Sequence, residues 1–495
     1  MPAFNENKTE EIEKNKKEIF VVDLDDTLIK TDLLIEGILS SIKTNPLNIF
    51  KIARLAVEKD SRHLKIYLAN NLQIKSSLLP YRQPVLDLIQ DQKNKNPNVP
   101  IVLASASHTK WVNDVANYLQ IFDEVLATTE KINLKGKNKL KVIHEKFPNC
   151  NFTYVGDSHA DLPLWEASKK AIAVNVGYFV KRKLSTLNNS KSNNNNIITE
   201  FLCDHSWADK IKEILKLIRV HQWSKNLLIF VPMILAHSFF NPYSWVMAFK
   251  AFFAFSFVSS CVYVINDLLD VDSDRKRFDR RDRPFASGNL SVLWSIPVLL
   301  ILFSLILFLL PQINITFTVA TLVYFLLTLA YSLKLKKYLL QDIVLLSSFY
   351  TIRLYAGGEA TATSISEWLL AFSIFFFFGL SLLKRFIEVK NESTNLTRGY
   401  CKDDQQILLI SGLVSSFSSI VVITLYINSH TVLTMYKHPQ YLWFWVILFL
   451  YWTNRIWLFG NRGVISSDPV AWVLKDKPSW VVIILILLIM IMAVQ

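Results

Sequence analysis

Asn266-Asp267-Leu268-Leu269-Asp270-Val271-Asp272-Ser273-Asp274 closes a long apolar run, residues 245–265, and opens a basic one: Arg275-Lys276-Arg277, then Arg280, Arg281 and Arg283. If the apolar helix continues through this stretch, Asp267, Asp270 and Asp274 fall at i, i+3 and i+7 and share one face. Carboxylates crowded on one face repel, and a hard divalent cation between them relieves the repulsion. Mg²⁺ is typically held by one or two carboxylates together with substrate phosphates. The arginines suit phosphate oxygens, because a guanidinium presents a planar fork of donors. A loop that only fixes membrane topology needs cations but no spaced aspartates.

Outward from this stretch the chain has two characters. Its 495 residues carry a net charge of +13, and a mean hydropathy of +0.27 averages two unlike parts. Residues 1–219 read as soluble, whereas 220–495 are dominated by apolar runs. Nine spans are predicted, at 226–241, 243–266, 290–310, 314–332, 339–358, 366–388, 406–426, 439–459 and 479–494. Eighteen Lys and Arg flank the connections 267–289, 333–338, 389–405 and 460–478, and one, Lys437, flanks those on the other side. That asymmetry follows the positive-inside rule and accounts for the net charge better than nucleic-acid binding does. The expectation is a multi-pass protein of the cell membrane, with the lipid bilayer as partner and no nucleic acid. The start of the chain has no apolar h-region, so the N-terminal domain is expected in the cytoplasm. Cys150, Cys203, Cys261 and Cys401 form no metal spacing and read as reduced.

The apolar half carries further polar residues. They are Lys225 in His221-Gln222-Trp223-Ser224-Lys225-Asn226, then Tyr331, Lys334 and Lys336, the single aspartate Asp342, Arg353, and the pair Lys384-Arg385. Arg353 stands about 14 residues into the 339–358 span, and a charge inside a span points to a functional site.

Asn266, Asp267, Asp270 and Asp274, followed by Arg283-Pro284 and Ser287-Gly288, resemble the aspartate-rich motif of the UbiA prenyltransferase superfamily. The resemblance implies an all-α bundle of about nine transmembrane helices. It also implies Mg²⁺ at Asp267, Asp270 and Asp274, which would be catalytic. Many members carry two or three aspartates in a second motif, and here only Asp342 is present. Together with His221 to Asn226 and Lys384-Arg385, the pattern resembles the branch that includes decaprenyl-phosphate phosphoribosyltransferase. That likeness implies a polyprenyl phosphate acceptor and a phosphorylated sugar donor, phosphoribosyl diphosphate. Lys225, Asn266, Arg283, Tyr331, Lys334, Lys336, Arg353, Lys384 and Arg385 would then bind substrate.

The soluble half has its own pattern. Residues 1–17 are charged and expected to be disordered. Glu18 to Val22 reads as a buried strand running into Asp23-Leu24-Asp25-Asp26-Thr27. Two carboxylates two residues apart at a strand's C-terminal end lie where open α/β sheets place active sites. One could attack a phosphoryl group while the other serves as acid and base. Further strands are predicted at 100–107, ending at Ser105 and Ser107, at 151–155, before Gly156-Asp157-Ser158-His159-Ala160-Asp161, and at 171–175. Alternating strands and helices predict a parallel, three-layer α/β domain.

Asp23, Ser105, Lys139 and the Asp157/Asp161 pair resemble, in order, the four motifs of the haloacid dehalogenase (HAD) superfamily of phosphatases. The resemblance implies Asp23 as nucleophile and Asp25 as acid/base, with Ser105 and Lys139 holding the phosphoryl group. Mg²⁺ would sit among Asp23, Asp25, Asp157 and Asp161. The domains expected are 18–186 for the phosphatase, with a helical cap over 33–80, then 187–219 as linker and interfacial helix, then 220–495 as the transferase. Transfer from phosphoribosyl diphosphate leaves a 5′-phosphate that a tethered phosphatase could remove at high effective concentration. A prenyltransferase using a polyprenyl diphosphate, and a non-catalytic scaffold or transporter, are the alternative readings.

Overall fold

The structure, a computed structural model, describes residues 18–57, 62–190, 198–202, 206–391, 399–465 and 468–494. Residues 1–17 lie outside that set. The chain divides into two compact units. One comprises Met1–Ile218 with Val264–Val298, the other Arg219–Tyr263 with Leu299–Gln495.

The first unit is built on a six-stranded parallel sheet. In chain order its strands are β1 (Glu18–Val22), β2 (Ile101–His108), β3 (Glu124–Thr128), β4 (Asn151–Gly156), β5 (Lys170–Val174) and β6 (Ile198–Leu202), and the sheet order is β3-β2-β1-β4-β5-β6. The unbroken apolar run of β1 follows from burial on both faces, as parallel sheets require. Phe20 and Val22 pack with Leu28 and Trp111 on one side, and Ile19 and Val21 with Phe152 and Trp165 on the other. The strand order reverses direction at β1, so the crevice at the C-terminal ends of β1 and β4 is the topological switch point, where such sheets hold ligands.

Within 33–80 three helices form, Leu33–Thr44, Asn48–Val57 and Arg62–Asn71. The first is capped by Asp32, whose carboxylate accepts from the amides of Leu34 and Ile35. The region after residue 186 differs from expectation. Helix Tyr178–Ser190 runs into the predicted linker, and Ile198–Leu202 is a strand paired with β5 rather than part of a surface helix. The α/β unit therefore extends beyond residue 186. The amphipathic helix is confined to Trp207–Leu217, opened by a Ser206/Asp209 capping box.

In the second unit and the stretches leading into it, seven helices among the described residues are long and apolar enough to cross a membrane: Pro242–Leu269, Val292–Gln312, Ile315–Leu333, Glu367–Asn391, Lys402–Ile427, Pro439–Asn461 and Lys477–Val494. Nine spans were expected, and the two others have physical reasons to differ. The 226–241 run is broken into Val220–Phe230, Val231–Leu235 and Ser238–Phe240, with His237 in the left-handed region. Gln341–Ala360 is a continuous 20-residue helix, but Asp342, Arg353 and Glu359 dilute its apolar character.

That helix is also tightly packed. A Cβ on Gly357 would come within 2.2 Å of the Ile229 carbonyl oxygen, backbone that cannot rotate away. Close helix approach through small residues is the usual device in membrane bundles. Gly357→Ala is expected to lower the unfolding temperature in detergent markedly, at a cost of about 1–3 kcal/mol or more. Gly463→Ala serves as the comparison, since a Cβ there meets nothing within 4 Å. Although the positive φ of 75° at Gly463 adds some strain, the Gly357 variant should be the more damaged of the two.

Candidate functional site

In the α/β unit the chain turns sharply after β1. Asp23 caps the turn, its Oδ1 accepting from the Leu24 amide at 2.8 Å. Asp26 adopts a positive φ of 54°. Arg82, 4 % exposed, holds this turn by donating to the carbonyls of Thr27 and Asp26, each at 3.1 Å. After β4, Asp161 accepts from the Ser158 amide at 3.1 Å and the Ser158 hydroxyl at 3.0 Å. The turn thereby brings Asp157 and Asp161 back toward Asp23.

Asp23, Asp157 and Asp161 each present a carboxylate oxygen within 4.8 Å of the others, and they are the one such acidic group among the described residues. Lys139 stands against them, its ammonium 3.0 Å from Asp23 and 3.8 Å from Asp161. Of the lysines between 131 and 141, Lys139 is the fully buried one, 2 % exposed. Burial would strip its proton, but Asp23 and Asp161 outweigh burial and hold it charged, above its ordinary range. Asp23 is pushed up to about 7 by burial, against the opposing pull of Lys139. Burial, and then the charges of Asp23 and Asp161, drive Asp157 well above the usual carboxylate range. Three crowded carboxylates facing one lysine thus form an excess of hard oxygen donors, the chemistry that suits Mg²⁺.

Asp25 stands outside this group, contrary to its expectation as a ligand. Its Oδ1 accepts from the Leu33 amide at 2.9 Å, and its Oδ2 from the hydroxyls of Ser105 and Ser107, both at 2.8 Å. Ser105 is therefore directed at Asp25. Several neighbours were not foreseen. Ser107 shares Asp25, and Thr27 donates to Asp157 at 3.0 Å. Tyr154 donates to Asp161 at 2.7 Å. Lys65, on the helix Arg62–Asn71, donates to the Ala106 carbonyl at 2.6 Å, and burial lowers its pKa against the pull of Asp25 and Asp32.

The aspartate-rich stretch belongs to the same unit. The long helix ends at Leu269, Asp270 takes φ −98° and ψ 6°, and a short helix Val271–Lys276 follows. The break at Asp270 removes the single helical face expected of the three aspartates, and among the described residues they form no group whose carboxylate oxygens all lie within 4.8 Å of one another. Arg283 joins two of them, one guanidinium nitrogen lying 3.2 Å from Asp267 and 2.7 Å from Asp274. Asp274 is 1 % exposed. Its Oδ1 has no hydrogen-bond partner, and the Arg280 guanidinium lies 3.8 Å away. Burial raises its pKa, against the pull of Arg283. An orphaned buried carboxylate oxygen is a position where a hard cation fits. Asn266 and Asp270 are half-buried.

In the second unit the expected substrate residues are engaged with protein. Lys225 pairs with Asp468 at 2.8 Å and Lys384 with the same oxygen at 3.5 Å. Burial alone would raise Asp468, but Lys384 and Lys225 outweigh it and hold its carboxyl well below the usual range. Arg385 pairs with Asp342 and with Glu388, and reaches the Tyr331 hydroxyl at 3.4 Å. Asp342 accepts in addition from Tyr400 at 2.7 Å. Lys334 is exposed and Lys336 half-exposed, at the turn Leu335–Lys337.

Arg353 is buried, and among the described residues its charge is met without a carboxylate. Nε donates to Asn226 at 2.7 Å, Nη1 to the Phe349 carbonyl at 2.6 Å and Nη2 to Tyr324 at 2.8 Å. The rings of Phe255, Tyr324 and Tyr350 surround it at 4.8–5.8 Å. Truncation leaves Asn226 Oδ1 without its donor, removes one of the Tyr324 hydroxyl's two partners and opens a cavity in an apolar interior. Arg353→Ala is thus expected to destabilise the bundle by about 3 kcal/mol, whereas exposed Lys337→Ala should change stability by less than about 0.5 kcal/mol. Thermal unfolding in one detergent compares them, and equal midpoints would rule out this role for Arg353.

Comparison with known proteins places this chain. A profile of the UbiA prenyltransferase family matches residues 227–473. An uncharacterized protein, y4nM, of Sinorhizobium fredii is 32% identical over 479 residues, covering 94% of this chain and 89% of that protein. A decaprenyl-phosphate phosphoribosyltransferase of Corynebacterium glutamicum is 32% identical over 180 residues, 36% of this chain and 54% of that enzyme. Among solved structures, a UbiA homolog from Archaeoglobus fulgidus bound to GPP and Mg²⁺ aligns with a TM-score of 0.44 at 15% identity, over 57% of this chain and 99% of that one. The chain is a multi-pass membrane protein, with seven candidate spans among the described residues, that carries a UbiA prenyltransferase family domain over residues 227–473.

Proposed function

We propose that this chain is a bifunctional enzyme of the cell membrane with its α/β unit in the cytoplasm. The UbiA domain transfers a phosphoribosyl group from phosphoribosyl diphosphate to a polyprenyl phosphate, and the α/β unit, a HAD-like phosphatase, removes the 5′-phosphate of the product. The observation that carries the reading is the meeting of Asp23, Asp157, Asp161 and Lys139 at the switch point of the sheet, in one chain with a UbiA domain. Prenyl transfer to an aromatic acceptor leaves no phosphate monoester, whereas phosphoribosyl transfer leaves one. The similarity to a decaprenyl-phosphate phosphoribosyltransferase supports the same donor and acceptor classes.

In the hydrolytic step an Asp23 carboxylate oxygen attacks phosphorus and the P–O bond to the ribose breaks. The departing oxygen takes a proton from Asp25. Asp25 then removes a proton from water, which attacks the phosphorus and frees Asp23. Lys139 offsets charge on the phosphoryl oxygens. Asp23, Asp157 and Asp161 would hold Mg²⁺ here, and Asp267, Asp270 and Asp274 in the loop. When bound, the ion supplies charge neutralisation on phosphate oxygens. Arg283, already between two of the loop aspartates, is placed to exchange a carboxylate for a phosphate oxygen.

The test is purified full-length protein with Mg²⁺, a polyprenyl phosphate and phosphoribosyl diphosphate labelled in the ribose. The expected product is a labelled lipid without a 5′-phosphate. Transfer of label from a prenyl diphosphate instead, with none from phosphoribosyl diphosphate, would establish the prenyltransferase reading.

A further inference from the structure

Part of the loop that carries the aspartates is pinned to the α/β unit by a buried ion pair. The Arg275 guanidinium meets Glu36 through two parallel bonds, Nη2 to Oε1 at 2.7 Å and Nη1 to Oε2 at 3.1 Å. The two side chains are 5 % and 7 % exposed. The remaining nitrogen, Nε, donates to the Ala286 carbonyl at 3.1 Å, so one side chain ties the short helix Val271–Lys276 both to the later part of its own loop and to the helix Leu33–Thr44. Glu36 is completed by the Thr31 hydroxyl at 2.8 Å. Around this pin lie Lys43 with Asp272 at 3.0 Å and Lys30 with Asn289 at 3.1 Å. Gly288, at φ +69°, lets the loop backbone touch Lys30, since a Cβ there would come within 2.6 Å of Lys30 Cβ.

The placement of the pair is informative. Arg275 directly follows Asp274, the buried aspartate held by Arg283. Glu36 lies on the helix whose first amide, Leu33, donates to Asp25. A bidentate Arg–carboxylate pair fixes orientation as well as distance, and breaking one partner leaves the other buried and unpaired. Exposed pairs of the Lys43–Asp272 kind carry little of this.

We propose that Glu36 is a positioning residue for the aspartate-rich loop, acting through Arg275: the α/β unit braces the loop in the pose that binds Mg²⁺ and the phosphorylated donor. Transfer then needs the α/β unit as a structural support, independently of any hydrolysis it performs. The pin itself rests on geometry, and its link to transfer rests on the function proposed above.

The experiment uses the full chain in lipid nanodiscs and reads two quantities. One is amide hydrogen exchange over residues 266–290, with Mg²⁺ alone as probe. The other is the Mg²⁺ concentration that gives half-maximal transfer. Glu36→Gln and Arg275→Lys, which keeps the charge but loses the fork, are each expected to speed loop exchange about tenfold. Each should raise the half-maximal Mg²⁺ concentration about tenfold or more, as loss of an outer support does at metal sites. Lys146→Gln, which breaks an exposed pair with Glu124 on the α/β unit, should move neither. The exchanged pair Glu36→Arg with Arg275→Glu should return loop protection toward wild type. Wild-type loop exchange in both single variants would overturn the proposal, including in Arg275→Lys alone if Glu36→Gln does not fold. Slow loop exchange in the wild type that the single variants lose, in a protein that transfers no labelled donor, would uphold the pin and sink the transferase reading.

Discussion

Asp23→Asn is expected to abolish release of phosphate from monoesters, by about three orders of magnitude or more, while transfer continues and the lipid product accumulates with its 5′-phosphate. The substitution keeps the shape of the side chain and removes the carboxylate proposed as nucleophile. The fold should tolerate it. Asp23 is buried and its carboxyl is pushed up to about 7, so losing the charge relieves repulsion from Asp157 and Asp161. Lys139 keeps Asp161 at 3.8 Å and the Tyr154 hydroxyl at 3.0 Å. The Leu24 amide, which donates to Asp23 Oδ1 in the wild type, can still donate to the carbonyl oxygen of the new side-chain amide. Phosphate release from a generic monoester measures the first effect, and mass spectrometry of the lipid product measures the second. Hydrolysis at the wild-type rate would exclude Asp23 as nucleophile. Loss of transfer together with hydrolysis, in a variant that remains folded, would mean that the product must be dephosphorylated before it leaves.

How far the sequence could be read follows from the range of the interactions. β1, β2 and β4 announce themselves as apolar runs ending in Asp, Ser or Gly-Asp, because both their faces are buried. β6, Ile-Thr-Glu-Phe-Leu, has no such run. It is a strand because the β5 edge is there to pair with it, and a non-local partner leaves no local trace. The spacing of the loop aspartates was legible, but their pairing was not. Arg283 stands 16 residues from Asp267, and nothing in the linear order says that it will sit between carboxylates. The same holds in the membrane half. Lys225 and Asp468 are 243 residues apart, and Arg385 and Asp342 are 43 apart. From sequence these cations read as phosphate ligands, whereas a bundle interior requires each buried charge to find a counter-charge or a ring of dipoles. Lys65 carried no signal, since a lysine inside a helical apolar stripe looks like a snorkelling side chain.

Asp274→Asn is expected to reduce transfer about a hundredfold or more and to change stability little. Asp274 is 1 % exposed, and its raised pKa shows that burial works against its charge. Removing the charge therefore costs the fold less than it would at a solvated ion pair of equal geometry, and Arg283 retains Asp267 at 3.2 Å. What disappears is the buried oxygen without a hydrogen-bond partner, which is the feature that suits a hard cation. Asp272 supplies the control. It lies in the same short helix, but its side chain is 49 % exposed and paired with Lys43 at 3.0 Å, whereas Asp274 is buried against Arg283. Asp272→Asn should alter transfer by no more than about twofold, the effect of a surface pair worth less than about 1 kcal/mol. Both variants leave the Asp23 centre intact and should hydrolyse a generic monoester at the wild-type rate, which serves as the internal measure of folded protein. Transfer rates normalised to that hydrolysis, measured over a range of Mg²⁺, compare the two. Normal transfer by Asp274→Asn would remove this oxygen from the mechanism. Equal losses in both variants would assign the effect to the loop's summed charge rather than to the Asp274 carboxylate.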